Sequence, residues 1–246
     1  SGIQSDDIVL LHSNVMRTLR LLNRNGIQPS VDIILESFIQ AVGKNGTLIF
    51  PLFNFDFTKG ITFDMRSTKS HMGSLTEKAR NRSNSVRTGH PIYSFSVIGA
   101  LAHKFKSVDN VSAYGIDSPF GILRELDGKI AVLDLEENES MTFYHHVEEM
   151  MSVPYRYMKN FKGDYINLNG TKLEKTYSIY VRNLQEKIQT DVEPIGKKLW
   201  DASIYIGDYP KIKTGLRVAR ANAVFDYVSK IIADGDALGN LYKKGT

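Results

Sequence analysis

The first fifty residues constrain the fold most. Ile8 to Leu11 is a short apolar run that gives way to His12-Ser13-Asn14, the pattern of a buried strand ending in a polar loop. Ser30 is placed to N-cap a helix whose apolar positions Val31, Ile34, Leu35, Phe38 and Val42 follow the helical period, and Gly43 supplies the stop. Thr47-Leu-Ile-Phe-Pro51 then reads as a second strand. Strand, helix, strand in this order favours a parallel pair with a helical crossover, since parallel neighbours cannot be joined by a tight turn.

Tyr93 to Ile98 and Ile130 to Leu135 are further strand candidates, the second preceded by an Asp127-Gly128 turn, with loop-rich sequence from Asn110 to Gly121 between them. Past residue 150 the pattern changes. Tyr165 to Leu168, the Asn169-Gly170 turn and Thr171 to Lys175 read as a hairpin, with Ser178 to Val181 as a following strand. Val218 to Ile232 carries Val224, Val228, Ile231 and Ile232 on one face and reads as a closing helix. The fold expected is α/β, a mixed sheet flanked by helices with an additional antiparallel β region in the C-terminal half. Residues 1–246, 42% hydrophobic, are expected to form one such domain with a loose subdivision near residue 150.

The absence of cysteine excludes disulfides, thiolate zinc sites and a cysteine nucleophile, and the six histidines lack companion-ligand spacing for zinc, so no metal is expected. No apolar stretch reaches bilayer-spanning length and the first residues lack signal-peptide character, so a cytoplasmic protein without membrane insertion is expected. A net charge of +4 with both signs interleaved does not mark a nucleic-acid binder. Local basic groups recur at Lys78, Arg80, Arg82 and Arg87, at Lys104 and Lys106, and at Lys211, Lys213, Arg217 and Arg220. They read either as solvated surface or as contacts to phosphate-bearing ligands.

Thr142-Phe-Tyr-His-His-Val-Glu-Glu149, just after the apolar run at Ile130 to Leu135, carries the chemistry. On a helix, residues three apart share a face, so His145 and Glu148 can hydrogen-bond. A carboxylate beside an imidazole fixes its tautomer and stabilises the imidazolium that forms on proton uptake, which is the geometry of an oriented general base. The same spacing also occurs in ordinary surface pairs.

Several segments, in order, resemble the aminoglycoside 3-N-acetyltransferase family. They are Leu11-His-Ser-Asn14, Gly46-Thr-Leu-Ile-Phe-Pro51, Phe63-Asp64 with His71-Met-Gly-Ser-Leu-Thr-Glu77, and His90-Pro-Ile-Tyr-Ser-Phe95. Asp117-Ser-Pro-Phe-Gly121, Leu126-Asp-Gly-Lys129, Thr142 to Glu149 and Asp191-Val-Glu-Pro-Ile-Gly196 complete the series, so the match runs from about Leu10 to Ile232. The resemblance implies acetyl transfer from acetyl-coenzyme A, a co-substrate, to a primary amine on a sugar-like ring. The family's threonine-x-x-histidine-x-x-glutamate arrangement falls on Thr142, His145 and Glu148. It implies His145 as general base, direct or through water, and Glu148 as its orienting partner.

For coenzyme A, the resemblance places Ser13, Asn14, Ser94 and Ser118 near the cofactor, with Arg17 substituting for a family arginine that aligns with Met16. On the acceptor side it implies Thr142 and Asp191; Asp191 and Glu193 read equally as the acidic start of a helix. His71 and His90 read either as turn or cap histidines or as site-lining residues, and His12 as a buried histidine at a strand end. The chain departs from the family before the threonine, where Met141 replaces an asparagine and Leu135-Glu-Glu-Asn-Glu-Ser140 replaces a glycine-containing loop.

Aminoglycosides are polycations and call for carboxylates around the acceptor. This chain is net basic, with Arg156, Lys159, Lys162, Lys172 and Lys175 following the His145 segment. Tyr155, Tyr157, Phe161 and Tyr165 could stack a base or form core. The expected acceptor is therefore a nucleotide-linked amino deoxysugar of surface-glycan (lipopolysaccharide O-antigen) biosynthesis, with an aminoglycoside as the alternative and a noncatalytic coenzyme A- or sugar-binding module as a reading of another class. A homodimer is compatible with the chain.

Overall fold

The computed structural model describes residues 2–209 and 215–245; Lys211 and Lys213 lie outside the described residues. The strands are β1 (Ile8–Ser13), β2 (Thr47–Pro51), β3 (Phe63–Asp64), β4 (Val86–Arg87), β5 (Phe95–Gly99) and β6 (Lys129–Leu133). They continue with β7 (Arg156–Ile166), β8 (Lys172–Arg182), β9 (Ile188–Thr190), β10 (Ile206–Gly207), β11 (Leu216–Arg220) and β12 (Tyr242–Lys244). The helices are α1 (Met16–Arg24), α2 (Val31–Val42), α3 (Ser74–Arg80), α4 (Ala102–Phe105) and α5 (Pro119–Glu125). After β6 come α6 (Glu137–Ser140), α7 (Phe143–Met150), α8 (Glu193–Asp201) and α9 (Ala221–Ala233).

The opening unit is as the sequence dictates. Ser30 Oγ accepts the Asp32 N–H at 3.1 Å, α2 ends at Gly43 with φ 67°, and β1 and β2 pair in parallel with Ile8 opposite Thr47. Seven strands form the main sheet in the order β10-β11-β6-β1-β2-β5-β4. Its centre is parallel, and β5 and β11 join antiparallel, which makes it mixed. Alternation along each central strand feeds two cores: Val9 and Leu11 face one and Leu10 the other, as do Leu48 and Phe50 against Ile49. α2 and α3 cover one face with Leu35, Phe38 and Leu75; α5, α7 and α9 cover the other with Phe120, Phe143 and Val228. Burial on both faces explains why these strands read as unbroken apolar runs.

Three elements differ from expectation. The hairpin is much longer than Tyr165 to Lys175: β7 and β8 pair over Arg156–Ile166 and Lys172–Arg182, so Ser178 to Val181 is the end of β8 and not a separate strand. Only Arg156 and Tyr165 of β7 are buried, which hides the two-residue period that marks a half-buried strand. Val218 to Arg220 belong to β11, held on the edge of β6 with Val218 opposite Ala131, and the closing helix starts at Ala221. α1 occupies what reads as loop; it has no buried residue, and Asn14 Oδ1 accepts the Met16 N–H at 3.1 Å at its start. Among the described residues, no helix is long and apolar enough to cross a membrane.

The segment between β6 and α7 is fastened by a buried polar cluster. Glu137 Oε1 accepts the hydroxyls of Tyr144 at 2.5 Å and Tyr205 at 2.6 Å, and Oε2 accepts Arg217 Nη2 at 3.0 Å. Arg217, fully buried, also donates to Leu135 O and Ser140 Oγ. A side chain at position 196 would put its Cβ 2.6 Å from Glu137 Cδ, so α8 approaches the cluster at a glycine. Removing one partner strands the other charge out of water, so Glu137→Leu should lower unfolding free energy by about 3–5 kcal/mol. Denaturant unfolding checks this; a loss below about 1 kcal/mol would mean that Arg217 finds water or a new acceptor.

Candidate active site

α7 begins two residues before His145, and its register sets the imidazole beside Glu148 one turn on. His145 Nδ1 and Glu148 Oε2 are 2.8 Å apart. A carboxylate can only accept here, so Nδ1 carries the proton and Nε2 is the ring nitrogen with a free lone pair. The same Oε2 lies 2.7 Å from Arg156 Nε at the root of β7. Arg156 also donates from Nη1 to Tyr180 O at 3.2 Å and from Nη2 to Thr190 Oγ1 at 3.5 Å. Glu148 and Arg156 side chains are 2% and 6% exposed, against 19% for His145, so the imidazole is the most accessible of the three. The Tyr114 ring backs it at 5.2 Å between centroids.

The electrostatics follow from this burial. Burial raises Glu148, but Arg156 and His145 overcome it and hold the carboxyl below its ordinary value. His145 is lowered, by burial first and by Arg156 second, with Glu148 pulling the other way. A neutral imidazole beside an ionised carboxylate is thus the resting state at neutral pH. His146 points the opposite way; its Nδ1–H donates to Tyr114 O at 2.7 Å and its ring is buried.

His145 opens onto a cavity of about 530 Å³ walled by the β7–β8 hairpin, Phe55 and Tyr93. Tyr157, Lys159 and Phe161 alternate along β7 and share one face of it. Arg156, Lys159 and Arg182 line the cavity, and no acidic residue does. Of the four aromatics considered for stacking, Tyr157 and Phe161 line it; Tyr155 is buried and stacked on Tyr242 at 4.0 Å, and Tyr165 is buried with its hydroxyl on Gly89 O.

The other expected residues are dispersed. Asp191 adjoins Thr190 but does not line the cavity: Lys243 takes its carboxylate at 2.9 Å and, by that hydrogen bond first, lowers its pKa. Glu193 Oε1 accepts Asn138 N–H at 3.0 Å, and Asn138 Oδ1 accepts Val192 N–H, so this acidic pair serves the start of α8. His71 lies 3.4 Å from Asp56 and lines a separate cavity of about 230 Å³. Thr142 precedes α7 and its carbonyl accepts the His145 N–H, while Met141 is core. His90 is a turn histidine, its Nδ1 accepting the N–H groups of Ile92 and Tyr93.

Among the residues expected near coenzyme A, Ser94 and Ser118 are fully buried. Ser94 Oγ accepts from Arg87 and Ser118 Oγ caps α5 on Gly121 N–H, so neither hydroxyl is presented to a ligand. The end of β1 is different. Among the described residues Ser13 Oγ is buried with no hydrogen-bond partner, Asn14 is exposed, and Asp134 is approached by Thr18 and, at 3.9 Å, by Arg17. An unpartnered hydroxyl at a strand end fits the amide groups of a pantetheine arm.

The model of the family described as aminoglycoside 3-N-acetyltransferase matches residues 10–233. The chain belongs to this family. Membership makes it an N-acetyltransferase with acetyl-coenzyme A as co-substrate. Solved structures with the same fold include AAC-VIa with bound sisomicin (TM-score 0.79, 19% identity, 95% of this chain and 94% of that one). AAC-IIIb in a binary complex with CoASH matches at TM-score 0.77 and 18% identity over 95% and 92%. YokD from Bacillus subtilis matches at 0.76 and 17% over 96% and 90%.

Arg156 is the residue that sequence inspection misses as a partner of this acetyltransferase's His–Glu pair; only the tight Val153-Pro154-Tyr155 link after α7 hints that β7 starts close to it. Removing its charge withdraws the largest influence that holds Glu148 ionised, so Arg156→Met should move the titration of that carboxyl to higher pH. Glu148→Gln withdraws the influence that raises His145 and should move the imidazole titration to lower pH. NMR titration of the Glu148 carboxyl carbon reads the first and of the His145 ring protons the second.

Proposed function

We propose that the chain acetylates the primary amine of an amino sugar, with His145 as general base and Glu148 as its orienting partner. The observation that carries this reading is the Nδ1–Oε2 contact at 2.8 Å, which leaves Nε2 as the bare nitrogen of an imidazole that lines the cavity. An ammonium has no lone pair, so Nε2 must take its proton, directly or through water, before nitrogen attacks the acetyl thioester. The N–C bond forms as the C–S bond breaks; of the two protons the nitrogen loses, one passes through the imidazolium to the departing thiolate and the other goes to solvent. Ser13 and Asn14 at the end of β1, with Arg17, would hold coenzyme A.

Two readings of the acceptor rest on different observations. Family membership and the sisomicin bound to AAC-VIa favour an aminoglycoside, and this reading has the wider support. The cavity favours an anionic, nucleotide-linked amino sugar: Arg156, Lys159 and Arg182 line it without a carboxylate, and Tyr157 and Phe161 offer stacking faces. A polycation placed there would meet like charge in a partly desolvated site. We read residues 1–246 as one domain.

His145→Ala should reduce kcat by on the order of 10²- to 10⁴-fold with a smaller change in KM, measured as thiol release from acetyl-coenzyme A. A variant with undiminished kcat would remove His145 from the mechanism. For the acceptor, wild type and Arg182→Glu are compared on a nucleotide-linked 4-amino deoxysugar and on sisomicin. The anionic reading expects KM for the nucleotide sugar to rise about tenfold or more in the variant, the worth of one charge-assisted contact. Turnover of sisomicin alone by both proteins would establish the aminoglycoside reading.

A further inference from the structure

A second cavity, of about 310 Å³, lies between the turn after β3, α3, β4 and the residue that follows α4. It shares no lining residue with the His145 cavity. Four cations line it, Arg66, Arg80, Arg87 and Lys106, together with Ser85, and no acidic residue does. Two carboxylates stand behind these cations, and each is already engaged. Asp64 accepts Arg66 Nε at 3.0 Å and Nη2 at 2.8 Å, and Glu77 accepts Arg80 Nε and Nη2, both at 2.9 Å. Four positive charges against these two leave an excess of two.

Arg87 is the informative member. It is 8% exposed, yet its partners are neutral: Nη1 donates to the carbonyls of Met65 at 3.2 Å and Thr68 at 2.6 Å, and Nε and Nη2 to Ser94 Oγ at 3.3 and 3.2 Å. The guanidinium carbon lies 4.7 Å from the Phe63 ring centroid. Burial first, and the neighbouring Arg80 second, lower its pKa to about 10. A buried guanidinium without an anion in contact is a group whose charge remains to be met, because burying an ion is costly unless it is paired.

We propose that this cavity is an anion site whose ligand is the phosphate group of a phosphorylated small molecule. A phosphomonoester dianion matches the excess of two charges, whereas a carboxylate meets half of it. Guanidinium forks suit phosphate oxygens, and the Ser85 hydroxyl, 2.6 Å from Ser96 Oγ, can donate to one when it accepts from Ser96. The volume admits the phosphate with a small attached group, and the half-exposed Arg66 and exposed Lys106 stand at its entrance.

The test is calorimetric titration at fixed ionic strength with glucose 1-phosphate and with inorganic phosphate, in the presence of saturating coenzyme A so that its own site is filled. Wild type, Arg66→Ala, Lys106→Glu and Arg182→Glu are compared; the first two variants change solvent-facing side chains and leave buried Arg87 in place. One ester is expected to bind per chain more tightly than inorganic phosphate. Lys106→Glu and Arg66→Ala should each weaken it about tenfold, the worth of one charge-assisted contact, and Arg182→Glu should leave it unchanged. No binding at millimolar ester, binding of inorganic phosphate alone, or equal affinity in Lys106→Glu would overturn the proposal. Loss of ester binding in Arg182→Glu alone would place the ligand in the His145 cavity and overturn it as well.

Discussion

One carboxylate oxygen holds the arrangement around His145 together. Glu148 Oε2 faces the imidazole of α7 on one side and the Arg156 guanidinium of β7 on the other, at 2.8 and 2.7 Å. Taken alone, a carboxylate this deeply buried would be protonated and could not orient an imidazole. Arg156 keeps it ionised, and the ionised oxygen in turn fixes which ring nitrogen of His145 is bare. The arrangement needs α7 and the root of β7 side by side. The link between them is short: Met151–Tyr155, with Ser152 at φ 50° and the Val153 N–H donating to Glu148 O.

Much of this was legible from local patterns. The capping serine at Ser30, the helical period through Val42 and the apolar run before Pro51 define the crossover because they are short-range signals, and the parallel pairing follows from connectivity. The His145–Glu148 contact was legible for the same reason, since three residues on a helix are one geometric step. What failed to read were features fixed by distant partners. β7 buries only two of its residues and owes its extent to β8, and Val218 is a strand residue because β6 presents an open edge. Asp191 is diverted from the cavity by Lys243, fifty-two positions along the chain by the difference of their numbers, and no local pattern encodes that pairing. Ser94 looked available beside His90-Pro91, but Arg87 reaches it from β4 and buries it.

The departure from the family between β6 and α7 has a structural account. Where relatives have a glycine-containing loop, this chain places α6, whose Glu137 is clamped by Arg217, Tyr144 and Tyr205. Tyr144 is the residue before His145, so the clamp acts on the first turn of the same helix. A buried ionic anchor holds this segment, with Asn138 tying it to the start of α8. Met141, at the family's asparagine position, has no polar task and fills core.

The hairpin divides labour in a way that bears on how acceptor preference can change. Its root carries Arg156, which answers to Glu148, while Tyr157, Lys159 and Phe161 lie along one face of the same strand. Successive strand residues point to opposite faces, so Tyr157, Lys159 and Phe161 can be exchanged in steps of two while Arg156 stays against Glu148. The wall of the cavity can thus be rewritten along one ribbon without disturbing the contacts behind it.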